Sequence, residues 1–321
     1  METATTKATN EFFQDIWKGL NASPKYLESK YFYDEDGDGI FQEIMDCPEY
    51  YLTRSELEIF SKQNSELLNT ILTHFRNFDV VELGAGDCTK SIYLLESLMK
   101  NKVDFTYYPI DISENVINQL GKKLPAALPG IKMYGLNGDY FDMLEEVKEI
   151  SSKNKIVLFL GSSIGNIPLN ETVGFLNALR SHLLPGDILL IGFDLKKDPD
   201  IILSAYNDKG GITKRFNLNL LKRINTMLDA DFDISAFEHA PRYNEATGTC
   251  ESFLRSTKDQ RVRIGEEGWI HFKKGETIHM EISQKYTAAQ TDEMAIAASF
   301  KPIRHFYDSK KWFLDALWQC V

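Results

Sequence analysis

The sequence predicts an α/β chain in which a Rossmann-like, doubly wound parallel sheet is joined to a second, smaller α+β lobe. Three observations predict it. Across residues 63–198, short apolar runs alternate with helical patterns, which is how a parallel sheet covered on both faces reads. Beyond Pro199 a helical stretch gives way to alternating polar and apolar residues, the pattern of antiparallel strands. The glycine turn Gly84-Ala85-Gly86 follows the first apolar run, at the sheet edge where such folds bind ligands.

The elements follow in order. Up to Lys62, helical pattern is punctuated by the aromatic groups Tyr31-Phe32-Tyr33 and Pro48-Glu49-Tyr50-Tyr51. Parallel strands are expected at 78–83, 104–111, 131–137, 155–161 and 187–193, with helices such as 89–100 and 114–123 between them. A helix is expected through 206–228, then antiparallel strands at 247–256, 260–264 and 277–286, with turns at Glu266-Glu267-Gly268 and Lys273-Lys274-Gly275. The strand-like pattern returns from Phe300 to Val321 and can complete the main sheet. The expected division is therefore a core of 63–198 completed by 287–321, and a lobe of 1–62 plus 199–286.

Composition narrows the function classes. Lys plus Arg total 36 against 47 Asp plus Glu, a net charge of −11, and no run of Lys or Arg forms a basic patch. Nucleic-acid phosphate would repel such a surface. No apolar stretch approaches the roughly 20 residues needed to span a bilayer, and Met1-Glu2-Thr3-Ala4-Thr5-Thr6-Lys7 lacks an apolar signal core. Cys47, Cys88, Cys250 and Cys320 are far apart and form no Cys-x-x-Cys pair, which argues against structural zinc and a disulfide framework. The six histidines show no metal-ligand spacing. The expectation is a reduced cytoplasmic protein that binds no metal, nucleic acid or membrane.

The stretch Val80-Val81-Glu82-Leu83-Gly84-Ala85-Gly86-Asp87-Cys88-Thr89 is a strand, a glycine turn and a helix opening. Glycines let the backbone approach a ligand, and the helix N-terminus favours a carboxylate or phosphate. The dinucleotide fingerprint needs a third glycine where Thr89 stands; the shorter turn suits the amino-acid tail of S-adenosylmethionine. Asp111, 25 residues after Gly86, ends the next strand. A carboxylate there accepts ribose hydroxyls and serves NAD and S-adenosylmethionine equally. Gly138-Asp139-Tyr140-Phe141 follows the third strand and offers a carboxylate and a flat face to adenine.

Two motifs read as decoys. Asp34-Glu35-Asp36-Gly37-Asp38-Gly39 opens like an EF-hand loop, but its twelfth position is Met45 instead of a bidentate Glu, so an acidic turn is expected. Gly161-Ser162-Ser163-Ile164-Gly165 fits the hydrolase elbow around Ser163, yet Pro168 forbids a helix running directly from the serine. A turn lining the ligand cleft, with Gly161 as a close-approach position, is the expectation there.

Five blocks carry a family resemblance: Tyr31-Phe32-Tyr33-Asp34, Pro48-Glu49-Tyr50-Tyr51-Leu52-Thr53-Arg54, Phe159-Leu160-Gly161-Ser162-Ser163-Ile164-Gly165-Asn166, Ala205-Tyr206-Asn207-Asp208 and Glu281-Ile282-Ser283. In that order they resemble the histidine Nα-methyltransferases of ergothioneine biosynthesis, enzymes on a class I methyltransferase sheet. The resemblance implies three methyl transfers from S-adenosylmethionine to the α-amine of L-histidine, through the mono- and dimethylated forms, giving the betaine hercynine. It implies no protein partner and a monomer. It places Gly84, Lys90, Asp111, Asp139 and Tyr140, with the turn glycines Gly86 and Gly161, at the methyl donor. Tyr50, Asn166 and Tyr206 fall on the amino acid, Glu281 and Ser283 on the imidazole, and Tyr33 near the amine; Tyr33, Asn166 and Tyr206 are the catalytic candidates. Glu281 and Ser283 stand two apart on an expected strand and so share a face. Gln284 departs from the family's small residue, at a position expected to point away. The alternatives are methylation of another amino-acid amine, tryptophan first, for which Glu281 is the wrong surface, and an NAD-dependent oxidoreductase on the same sheet.

Overall fold

The computed structural model describes residues 4–321, with side chains from Asn10 onward. Met1, Glu2 and Thr3, which open both the expected smaller lobe and the segment read for a signal core, lie outside the described residues. The chain forms two compact units, Met1–Tyr50 with Asp198–Ser283, and Tyr51–Lys197 with Gln284–Val321.

The second unit holds a seven-stranded sheet: β1 Phe78–Leu83, β2 Tyr107–Asp111, β3 Leu136–Asn137, β4 Asn154–Phe159, β5 Ile188–Asp194, β6 Phe300–Tyr307 and β7 Phe313–Cys320. Their spatial order is β6-β7-β5-β4-β1-β2-β3. The first five are parallel, whereas β7 runs antiparallel to both β5 and β6. This is the doubly wound sheet that the alternating pattern predicts, in the class I methyltransferase arrangement that the resemblance implies. Every residue of β1 and β5 is buried, which is why these strands read as continuous apolar runs. Val81, Val157, Leu189, Phe193, Leu314 and Trp318 join one core, each such burial stabilising the sheet by roughly 1.5–3 kcal/mol. The order reverses between β1 and β4, and the carboxyl ends of strands at such a switch point form a ligand crevice.

Two strands are shorter than their patterns: the run at 104–111 forms a strand only over Tyr107–Asp111. The run at 131–137 pairs only over Leu136–Asn137, with an isolated bridge between Tyr107 and Met133. As the sheet's edge it has a single neighbour, and pairing lapses after that bridge. The helix Tyr51–Lys62, expected in the smaller lobe, belongs to the sheet unit. It buries Leu52, Ile59 and Phe60, and its Tyr51 hydroxyl donates to Asp194 Oδ2 at 2.8 Å, at the end of β5.

In the other unit, the helices Ala4–Asn21 and Ile212–Leu228 contribute Phe12, Ile16, Phe216, Leu220 and Ile224 to a second core with Leu254, Ile278 and Met280. Strands Lys25–Tyr26, Thr277–Gln284, Thr249–Ser256 and Phe237–His239 lie side by side in that order, and Gln260–Ile264 pairs with Gly268–Phe272. The helix expected through 206–228 is broken. Pro199–Ala205 ends before Tyr206, and Asp208 accepts the Ile212 and Thr213 N–H groups at 2.8 Å each, restarting the helix after Gly211. The acidic run is likewise no free turn. Asp34 caps the helix Glu35–Asp46 by accepting Gly37 N–H at 2.8 Å, so Glu35, Asp36 and Asp38 occupy a first turn whose dipole favours negative charge. Among the described residues, no helix is long and apolar enough to cross a membrane.

Two acids, Asp79 and Glu82, interrupt the apolar run of β1. Glu82 is 2% exposed and accepts from the Tyr107 hydroxyl. Burial pushes its carboxyl up from 4.5 to about 7. The unfolded chain thus releases this proton near pH 4.5 while the fold keeps it to about 7, and stability falls as pH rises through that window. The loss is on the order of 3 kcal/mol. Glu82→Gln, which cannot ionise, is expected to gain about that much relative to wild type between pH 4.5 and 7.5 in denaturant titrations. A difference that stays flat over this range would show that Glu82 titrates normally.

Candidate active site

The turns expected to hold the methyl donor flank the switch point of the sheet unit. After β1, Gly84 and Gly86 have φ of 68° and 53°, a left-handed backbone that glycine adopts without strain. Gly84 N–H donates to Ile110 O at 2.9 Å, tying the turn to β2. A Cβ on Gly86 would meet nothing within 4 Å, so this face of the turn is open, whereas one on Gly84 would lie 2.9 Å from the Tyr140 hydroxyl. At the end of β2, Asp111 Oδ2 accepts Gly86 N–H at 3.1 Å and Oδ1 accepts Ser113 N–H at 2.9 Å. Gly84, Gly86, Asp111 and Tyr140 therefore form one cluster. Burial, with the negative charges of Asp111 and Asp139, holds the Tyr140 phenol well above its usual range, so it remains a hydrogen-bond donor. Asp139 is exposed and caps the helix Tyr140–Ile150 through Phe141 N–H at 2.9 Å.

After β4, Gly161 has φ 72°, and a Cβ there would lie 3.5 Å from Lys90 Nζ. Lys90 makes an ion pair with Glu56. Burial pulls the lysine's affinity for its proton down, but the Glu56 charge outweighs it and the ammonium is held above its normal range. The rest of this loop is a 3-10 turn, Ser163–Asn166, clamped on several sides. Ser163 Oγ donates to Leu160 O at 2.9 Å, and Ser162 Oγ accepts Asp194 N–H at 2.9 Å. A Cβ on Gly165 would meet the backbone O of Gln284 at 2.9 Å, so only glycine fits that approach. Asn166 ends the turn exposed. The next helix, Leu169–Ser181, begins only after Pro168, so no helix opens at Ser163 as a nucleophile elbow requires. A carboxylate beside two left-handed glycine turns, with a cation and a phenol, fits S-adenosylmethionine, whose ribose seeks acceptors and whose amino-acid tail carries both charges.

The residues expected at the amino acid lie in the other unit, except Asn166. The Tyr206 and Ser283 hydroxyls are hydrogen-bonded at 2.7 Å, and the Tyr50 and Tyr206 rings stand edge to face at 6.2 Å between centroids. His239 Nε2 lies 2.8 Å from the Tyr206 carbonyl oxygen, and burial lowers its pKa, so the neutral ring donates to it. Glu281 is half-buried on the strand that carries Ser283, two residues away on the same face. Tyr33 packs edge-on against Phe41 and Phe216, at 5.7 and 5.8 Å. Gln284 is fully buried, its amide donating to Lys285 O at 2.9 Å.

The sequence reading missed two buried ionic clusters in the sheet unit. One gathers Glu56 and Lys90; the other sets Asp194 between Lys285, at 2.7 Å, and Lys197. Burial lowers Lys197 to about 8 despite the Asp194 charge. A signal for the first was present: Glu56 occupies the apolar stripe of its helix with Leu52, Ile59 and Phe60, a position where an acid needs a partner.

The chain is similar to known methyltransferases along nearly its whole length. A Mycobacterium tuberculosis histidine N-alpha-methyltransferase is 35% identical over 92% of this chain and 90% of its own length. The Mycolicibacterium smegmatis protein of the same name is 34% identical over 88% and 87%. An L-tryptophan methyltransferase of Psilocybe serbica is 29% identical over 92% and 89%. With residues 12–320 matching the model described as histidine-specific, SAM-dependent methyltransferase, the oxidoreductase alternative falls away and the chain belongs to that methyltransferase family.

Proposed function

We propose that this protein methylates the α-amine of free L-histidine three times, through the mono- and dimethyl forms, to the trimethyl betaine hercynine of ergothioneine biosynthesis. The observation that carries the substrate is the strand Thr277–Gln284, which presents Glu281 and Ser283 on one face with Ser283 bonded to Tyr206. A carboxylate and a hydroxyl so spaced suit an imidazole, which offers one N–H donor and one acceptor nitrogen. An indole has no acceptor nitrogen to match them.

In this reading Asp111 accepts the donor's ribose hydroxyls, Asp139 and Tyr140 flank its adenine, and Gly84, Gly86, Gly161 and Lys90 receive its amino-acid end. S-adenosylmethionine, when bound, supplies an electrophilic sulfonium methyl. The chain's own work is to bind, orient and deprotonate. Asn166 and Tyr206 each offer donors and acceptors for the histidine carboxylate and amine, and Tyr50 packs beside Tyr206. Tyr33 orients the amine's lone pair and passes its proton to water; methyl displacement needs alignment and a neutral amine more than strong acid–base help. Tyrosine faces then steady the growing cation.

Mass spectrometry of purified protein with S-adenosylmethionine and an equimolar mixture of amino acids tests this directly. The expected product is histidine heavier by three methyl groups, with transient one- and two-methyl species. Methylation of tryptophan in preference to histidine would overturn the substrate assignment.

A further inference from the structure

Glu56 has no role in the scheme above, yet it touches two of its parts. It is 0% exposed on the helix Tyr51–Lys62. Both of its oxygens accept the Gly161 N–H, at 2.8 and 2.9 Å, and Oε2 makes the ion pair with Lys90. Its other oxygen rests on β5: a Cβ on Gly192 would lie 2.4 Å from Glu56 Oε1. Gly192 is not in a left-handed conformation, so what it needs there is space, first for this carboxylate and then for the Phe313 ring, which a Cβ would meet at 3.1 Å. Its cross-strand partner on β7 is Asp315, 1% exposed. Burial, then the Glu56 charge, push the Asp315 carboxyl well above its usual range, which favours its neutral form beside Glu56.

A fold has little thermodynamic reason to keep such a group. Apolar residues of similar volume usually replace a buried ion pair at no loss of stability. A well-placed ion pair does fix geometry, and the groups fixed here are a backbone N–H and a lysine ammonium on two separate loops. We propose that Glu56 is a positioning residue for the methyl-donor site: its carboxylate holds Gly161 and Lys90 in the arrangement that receives the donor's amino-acid end, and Gly192 makes room for it. This rests on assigning Gly161 and Lys90 to the donor, as above.

Glu56→Gln keeps the shape and an acceptor for Gly161 N–H but leaves Lys90 without its anion. Calorimetry with S-adenosylhomocysteine is expected to show a Kd raised about ten-fold or more, since charged hydrogen bonds typically contribute at this scale. The KM for S-adenosylmethionine should rise in parallel, while the KM for histidine stays within about two-fold; a general structural defect would move both. In a cycle with Lys90→Met, the double variant should lose little beyond either single one, because the two act as a pair. Wild-type affinity in Glu56→Gln, or fully additive losses, would overturn the proposal. Should Glu56→Gln fail to fold, Gly192→Ala carries the test by crowding the carboxylate without removing it: weakened S-adenosylhomocysteine binding with an unchanged histidine KM supports the proposal, and unchanged binding overturns it. Wild-type protein that binds no S-adenosylhomocysteine would instead overturn the donor-site assignment and this inference with it.

Discussion

Asp111→Ala is expected to raise the Kd for S-adenosylmethionine roughly a hundred-fold or more. Two effects combine. In the proposed role the carboxylate accepts both ribose hydroxyls, and each charge-assisted bond is worth roughly 1.5–3 kcal/mol before solvent compensation; a net loss near 2.7 kcal/mol already gives a factor of about one hundred. The same carboxylate also accepts Gly86 N–H at 3.1 Å and Ser113 N–H at 2.9 Å. Its removal therefore loosens the glycine turn proposed to face the donor, adding a preorganisation cost to the lost contacts. Asp111→Asn separates the two effects. Its amide oxygen can keep one backbone partner while its NH2 group cannot accept, so an intermediate loss of about ten-fold is expected. Calorimetry on both variants, with thermal melts to show that each is folded, gives the measurement. Affinity unchanged in Asp111→Ala would remove this residue from the donor site.

The contrast between what was and was not legible in the sequence follows from the range of the interactions. β1 spans the expected 78–83, because a strand buried on both faces is apolar at most positions, here all but Asp79 and Glu82. The helical pattern at 206–228 hides a break because apolar period alone does not register Asp208, whose carboxylate caps a new start at Ile212. The Asp34 run reads as a turn in sequence because acidic residues serve loops and helix first turns equally well, and only the bond to Gly37 N–H decides between them. At the site, Gly84, Gly86 and Asp111 were visible through local spacing. Glu56, Lys197 and Lys285 were not assigned, since their partners lie 34, 3 and 91 positions away and only the folded sheet joins them. The clamp of Gly165 against residue 284 belongs to the same class: a glycine's need for space has no local signature when its φ is ordinary.

Glu281→Ala is expected to raise the Michaelis constant for histidine about ten- to a hundred-fold, with a smaller fall in the maximal rate. The acid is half-buried on Thr277–Gln284, on the face that carries Ser283, and Ser283 is tied to Tyr206 at 2.7 Å. In the proposed function it accepts an imidazole N–H, and losing a charged acceptor in a closed site costs roughly 1.5–3 kcal/mol. The imidazole is remote from the transferring methyl, so its bond is about equally strong in ground and transition states. Removing uniform binding of this kind raises KM and spares kcat. Tyr206 should then remain in place on the truncated face, because its hydroxyl answers to Ser283 and its carbonyl to His239. Discrimination should shift as well. Tryptophan brings no ring acceptor and a larger apolar surface, so the lost carboxylate harms it less and can favour it. Steady-state kinetics on wild type and this variant, with histidine and tryptophan in parallel, should show the ratio of their kcat/KM values moving toward tryptophan by at least ten-fold. If the variant keeps its preference for histidine undiminished, Glu281 is an ordinary strand carboxylate and the imidazole is read by other groups.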